Sequence, residues 1–489
     1  MEGKHGGLSA WQLTMMALGT VIGGSFFLGS SVAIHAAGPA VIISYILGGI
    51  LVYFILYALS EMTVADASSG SFRSFAAKVF GPGTGFVVGW VYWTGMVLAM
   101  SSEATAVSIL LRNWLPGVSI AMLGSFIIVC VTLLNLLGAD MLSKLESSLA
   151  AIKVLAIISF IIIGLLLIVG LLPGSPRLGA GELTREAVMP GGIGSIAGSM
   201  LIVIFSYAGF EIIGLAASET SNPQKTVPKA INYTVLSLVG LYIISAAVLL
   251  PLIPTSVLNE SISPMVAALD RWGIGWAGSA LNFVLITAIL STMLAAMFGL
   301  GRMIRSLAAE RHAPKLLMDK RDVPYRGIIF SGLAMLLGLG FGLLFPRVYL
   351  FLISSGGFAL LFTYAVILAT HIRFRRKYGC PPEGKCQIPG FPYTSWIALI
   401  SIIIIILSMP LIPGQGSGLI AGIIFIAFYS VVYWAMKVYR RIDRQYTVND
   451  LLNNKKRRVS LSTEMSEELT ASRKKKNHNK KRKRSKRKK

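Results

Sequence analysis

Gly19-Thr20-Val21-Ile22-Gly23-Gly24-Ser25 stands in the middle of an apolar segment running from about Leu8 to Ala36, and Ser206-Tyr207-Ala208-Gly209-Phe210-Glu211 interrupts a second, from about Ile196 to Thr220. Glycines and small polar residues at bilayer depth let a helix unwind, and unwound backbone is tolerated there only where it lines a protein-enclosed cavity. The two runs occupy matching places in the two halves of the chain. That placement points to a ligand site halfway across a membrane. The competing reading is that Gly19, Gly23 and Gly24 merely let helices pack closely, as small residues at such spacing often do.

The rest of the chain supplies the setting. Its 489 residues are 54% apolar and 13% charged, with a mean hydropathy of +0.71, too apolar for a soluble protein. About 20 apolar residues span a bilayer. Twelve such stretches lie near 8–36, 40–65, 84–111, 118–137, 148–172, 195–219, 231–254, 276–300, 327–345, 348–370, 392–413 and 415–436. The first is too long for a cleavable signal and reads as the first span. The expected fold is an all-α polytopic membrane protein of about twelve transmembrane helices, with spans one and six discontinuous. Residues 1–7 form a short N-terminus, 8–437 the transmembrane domain and 438–489 a tail. Within the domain, 8–172 and 195–370 are expected to form a five-plus-five inverted repeat, with two additional helices over 392–436.

Charge sets the orientation. With the N-terminus and every second loop cytoplasmic, those segments hold 39 of the 45 Lys and Arg residues; without the 21 from position 437 onward, the balance is still 18 against five. Both termini are therefore expected in the cytoplasm. Residues 473–489 contain thirteen Lys or Arg and no acid, so the tail is expected to be disordered. Tethered directly after a span, it suits anionic lipid better than a specific nucleic acid. Cys380 and Cys386 share a loop with only His371 nearby, too few ligands for zinc, so free thiols are expected. No cofactor or metal is called for.

Ionisable residues within spans carry the chemistry. Glu103, Lys153 and Glu211 each cost about 2.5 to 3.5 kcal/mol on insertion scales unless they face the bundle interior. Such groups can exchange a proton near neutral pH and so couple proton flux to transport. Structural readings stand beside each: Lys153 snorkelling to the surface, Glu103 bonding a neighbouring helix, Glu211 capping N–H groups at the second break. Glu61, Asp66 and Glu219, near span ends, suit loop contacts. At a broken helix, the resuming half offers N–H groups and a positive dipole end to a carboxylate. The preceding half offers carbonyls to an ammonium group.

Several of these runs carry a family resemblance. The stretch Gly19 to Gly29, Ser102-Glu103 followed by Ala-Thr-Ala, the lysine of Ala-Ile-Lys153-Val, and Phe205 to Gly214 resemble amino acid permeases of the amino acid, polyamine and organocation superfamily. Glu219 to Ile231, with Gly301-Arg-Met and Ala313-Pro-Lys, resembles the bacterial amino acid transporter branch. The resemblance covers roughly residues 8 to 440. It implies secondary active import of an amino acid across the plasma membrane by proton symport with alternating access. It also implies roles: Gly24 and Ser25 toward the substrate carboxylate, and the carbonyls of Val21, Ile22, Phe205 and Ser206 toward its amino group. Lys153 would take the place of sodium in sodium-coupled relatives, and Tyr207 and Phe210 would serve gating or packing. Gly23, Gly209, Glu103 and Glu211 complete the expected substrate site.

One departure stands out, since family members usually place a hydroxyl residue and then glycine after the Ile-Gly of the first span, whereas here Gly24 precedes Ser25. Phe205, Tyr207, Phe210 and Ile213 favour an uncharged substrate side chain. Glu103 or Glu211 keeps open a cationic substrate, and exchange is an alternative to symport. No nucleophile elbow, His-Glu-x-x-His pair or Gly-Lys-Ser phosphate loop is present, so an enzyme is not expected. A transporter-like sensor is a third class; truncation after Tyr446 would abolish a sensor's output and spare a carrier.

Overall fold

The computed structural model describes residues 9–65, 72–137, 139–172, 177–211, 213, 220, 222–319, 323–380 and 388–439. The N-terminus, Asp66, Glu219, Cys386 and the basic tail beyond position 439 lie outside the described residues. All described secondary structure is helical. The chain divides into compact units at Met1–Tyr429 and Ser430–Lys489; of the second, the described part is the end of one helix.

The first segment folds as three pieces: α1 (Ala10–Val21), α2 (Gly24–Phe27) and α3 (Gly29–Ala37). A reciprocal pair of bonds starts α1, the Ser9 hydroxyl accepting from the Gln12 N–H and the Gln12 side chain accepting from the Ser9 N–H. Gly38, at φ +61°, and Pro39 then turn the chain into α4 (Val41–Ala65). The short amphipathic α5 (Phe72–Phe80) leads to α6 (Pro82–Leu111), α7 (Ile120–Asn135) and α8 (Ala139–Val169). After α9 (Gly192–Ser206) come α10 (Pro223–Leu252), α11 (Pro264–Arg271), α12 (Gly275–Ala309), α13 (Tyr325–Gly342), α14 (Val348–Tyr378), α15 (Tyr393–Ser408) and α16 (Gly416–Tyr439).

Among the described residues nine helical stretches are long and apolar enough to cross a membrane. Twelve were expected, and the difference has physical causes. One of the nine, Gly24–Ala65, is 42 residues long, about twice the ~20 residues a bilayer requires, and it contains the turn at Gly38. The breaks at positions 22–23 and after Ser206 leave α1 and α9 short, and α7 is also below spanning length. The protein is nonetheless a multi-pass helical membrane protein.

Packing brings the two broken segments to the centre. α3 and α4 both pack on α9, α1 lies against α8 and α10, and α6 is clasped by α12 and α14. Glycines permit the closest approaches: a Cβ at Gly95 of α6 would stand 2.5 Å from the Cβ of Ala359 of α14. Cys380 is disulfide-bonded, which corrects the expectation of a free thiol there; Cys130 is free. His371, considered as a zinc ligand for that loop, instead hydrogen-bonds Glu61 through Nε2 at 2.6 Å.

Candidate functional site

α1 stops at Val21 because Ile22 and Gly23 are extended, and the helix resumes at Gly24. Gly23 has no side chain to cap the new helix, so the N–H groups of Gly24 and Ser25 need partners from elsewhere. Glu103, on α6, supplies them. Its Oε2 accepts from Gly24 N–H at 2.6 Å and its Oε1 from Ser25 N–H at 3.2 Å, with the side chain only 3% exposed. A charge-assisted cap at a helix N-terminus is the arrangement that the dipole and the free N–H groups favour.

The carbonyl side of the same break is closed by two other helices. Lys153 of α8, fully buried, donates from Nζ to the Gly19 carbonyl at 2.6 Å and to Thr292 Oγ1 of α12 at 2.8 Å. The Thr292 hydroxyl in turn donates to the Ile22 carbonyl at 3.0 Å. Burial excludes the snorkelling reading of Lys153. Tyr349 of α14 reaches the Gly24 carbonyl at 3.4 Å.

The second break follows Ser206. Residues 207–211 are turns, and Gly209 takes φ +106°, a conformation costly for any residue with a Cβ. Its N–H donates to Glu211 Oε2 at 2.9 Å, and the other carboxylate oxygen accepts from the Tyr364 hydroxyl of α14 at 2.6 Å. The capping role considered for Glu211 is therefore present. Tyr242 of α10 donates to the Ser206 carbonyl at 3.0 Å, and the Phe205 carbonyl accepts from the Ala208 N–H at 3.0 Å. Phe210 stacks on Tyr364, with ring centroids 5.1 Å apart.

The two breaks touch. Thr20 Oγ1 donates to the Gly209 carbonyl at 3.3 Å, and a Cβ on Gly209 would lie 3.0 Å from the Thr20 carbonyl oxygen. Beside this junction, Phe26, Tyr45, Tyr207 and Tyr242 form an aromatic cluster in which Phe26 and Tyr242 stack at 3.8 Å. Val21, Ile22, Gly23, Gly24, Ser25, Glu103, Lys153, Phe205, Ser206, Tyr207, Phe210 and Glu211 are all buried, and Gly209 is half-buried. Thr292, Tyr364, Tyr242 and Tyr349 join the site without having been singled out by sequence; each is one hydroxyl among several on an apolar helix, which by itself signals nothing.

These observations define a class: a multi-pass helical membrane protein with two interrupted helices meeting at its centre, their ends satisfied by buried charged and hydroxyl groups. The chain belongs to the amino acid permease family, whose match covers residues 12–445. It is 33% identical over 432 residues to the gamma-aminobutyric acid permease of Bacillus subtilis (strain 168), a match spanning 86% of this chain and 92% of that one. It is 32% identical over 416 residues to the gamma-aminobutyric acid permease of Escherichia coli (strain K12), covering 84% and 89%. Amino-acid permease AapA of B. subtilis (strain 168) is 32% identical over 411 residues, covering 82% and 89%. Amino acid transport is accordingly the activity of the family, and its members are carriers, not enzymes.

Proposed function

We propose that the protein is a secondary active transporter that imports a neutral amino acid by proton symport and alternating access. The observation that carries this reading is the paired break, with Lys153 bonded to the Gly19 carbonyl and to Thr292 on one side and Glu103 bonded to Gly24 and Ser25 on the other. Counted with α1 to α3 as one crossing and α9 with its broken continuation as another, α4, α6, α7, α8, α10 and α12 to α16 bring the crossings to twelve. The breaks then begin two five-crossing repeats of opposite topology.

In this reading the Gly24 and Ser25 N–H groups take the substrate carboxylate, and the carbonyls around Val21, Ile22, Phe205 and Ser206 take its amino group. Glu103 holds the carboxylate position and Tyr242 the Ser206 carbonyl until substrate arrives. Substrate binding is thus an exchange of partners at the N–H and carbonyl groups of the two breaks. Lys153 carries the proton: charged, it holds the first break to α12, and neutral, it loosens that hold. Aromatic residues at the junction suit an uncharged side chain. A cationic substrate is the second reading, favoured by two buried carboxylates, Glu103 and Glu211, against one buried lysine.

The deciding experiment is uptake of labelled amino acid into proteoliposomes under an imposed pH gradient, competed by all twenty amino acids and by γ-aminobutyrate. Uptake that ignores the gradient sinks symport. Competition by lysine and arginine alone sinks the neutral substrate.

A further inference from the structure

α14 is 31 residues long, about 46 Å at 1.5 Å per residue, whereas the hydrocarbon layer is about 30 Å thick. The helix outruns that layer, and the basic residues of its last turns mark that end as the one suited to headgroup level. There Arg373, Arg376 and Lys377 are exposed, and none of the three forms an ion pair with a described residue. Arg375, on the adjacent face, is different: it lies 3.6 Å from Glu61 and 4.2 Å from the Phe391 ring centroid.

The amphipathic helix α5 lies beside these cations. It buries Phe72, Phe75, Ala76 and Val79 and leaves Lys78 and Phe80 outside. Phe75 meets Phe374 edge to face at 6.1 Å, which fixes α5 against α14. The Arg373 guanidinium then lies 5.1 Å from the Phe80 ring, and the Lys377 ammonium 5.1 Å from the Tyr378 ring. Phe80 is 39% exposed and Tyr378 45%. Neither Phe72–Phe80 nor His371–Tyr378 contains an acidic residue.

We propose that this corner of α5 and α14 binds the headgroup of an anionic phospholipid. Arginine presents a planar fork to phosphate oxygens and lysine a mobile point charge, so three cations on one turn match a phosphodiester bearing net charge. Phe80 and Tyr378 sit where amphipathic rings anchor at the membrane boundary and hold the cations in place by their faces. None of these residues belongs to the basic tail.

The test uses the purified full-length chain in mild detergent. Thermal denaturation is followed with added phosphatidylglycerol, with phosphatidylcholine and with inorganic phosphate, and retained lipid is counted by native mass spectrometry. Phosphatidylglycerol alone is expected to raise the melting temperature. R373Q/R376Q/K377Q is expected to lose at least two thirds of that rise, while K474Q/K475Q/K476Q, with the same change in charge, keeps it. Should the triple variant not fold, R373Q and K377Q singly are each expected to retain fewer phosphatidylglycerol molecules. Equal protection by inorganic phosphate, or equal loss in the tail variant, overturns the proposal, as does full retention of lipid by the α14 variants.

Discussion

The two breaks are held differently. At the first, the side-chain partners come from distant helices: Glu103 from α6, Lys153 from α8, Thr292 from α12 and Tyr349 from α14. At the second, the chain caps itself, Glu211 folding back on the Gly209 N–H two residues away, with phenols from α10 and α14 completing it. A break tied by four other helices changes shape only when they move or change charge. A break that caps itself keeps its shape while its neighbours shift. In the proposed mechanism the first is thus the place where protonation is converted into movement, and the second is the fixed half of the grip.

Lys153→Ala strikes hardest at that asymmetry. It leaves the Gly19 carbonyl and Thr292 without their buried cation, and proton-driven uptake is expected to fall at least ~100-fold, a change of about 2.7 kcal/mol. Substrate exchange should persist in part, because the second break is untouched. Uptake in proteoliposomes that still collapses with the proton gradient would remove Lys153 from the coupling role.

Gly24→Val comes next. A Cβ there would stand 2.6 Å from Glu103 Oε2 and 3.2 Å from the Ala106 Cβ, so the glutamate must leave the Gly24 N–H and the proposed carboxylate position fills with carbon. Substrate binding, read by scintillation proximity, is expected to vanish. Unchanged affinity would show that the carboxylate binds elsewhere.

Gly209→Ala tests the second break through the backbone. The residue would have to hold φ +106° with its Cβ 3.0 Å from the Thr20 carbonyl oxygen. Strain of this kind costs about 1–3 kcal/mol. The melting temperature in detergent is expected to drop, and a thermally silent variant would mean that the break relaxes freely.

Much of this was legible in the sequence because glycines and charges inside apolar runs have few bland explanations. The positions of both breaks, and Glu103, Lys153 and Glu211 as the charged residues that matter, followed from residue type and depth, whereas the burial of Lys153, for which snorkelling stood open, is given by the structure. What was not legible is partnership at long range. Nothing in the α12 sequence marks Thr292 among its other hydroxyls as the link between Lys153 and the Ile22 carbonyl, 270 positions away. The state of Cys380 was likewise hidden, since a disulfide depends on the separation and direction of two Cβ atoms in space. The nine described helices of spanning length differ from the twelve expected spans where helices break, because an interrupted helix no longer reads as a full crossing.

The smallest expected effect lies at the end of α12, the helix that brings Thr292 to the first break. Arg73, buried on α5, forks onto Glu310 with Nη1 and Nη2 at 2.5 and 2.6 Å and reaches Ser306 at 2.9 Å. Those hydrogen bonds chiefly hold the Glu310 carboxyl below its ordinary range, against its partial burial, with the charge of Arg73 adding to them. A carboxyl depressed in the folded state contributes stability above its unfolded value of about 4.3 and loses it as the pH falls through the folded value. Glu310 is 45% exposed, so screening keeps the contribution under about 1 kcal/mol. Melting curves of the parent and of Glu310→Gln should therefore run parallel between pH 7 and pH 5. Below that the parent alone should show the extra acid sensitivity. Because this clamp fixes α12 from outside both breaks, its loss should leave substrate affinity unchanged; a fall in affinity would mean that the first break is tuned from the far end of the helix as well as from Lys153.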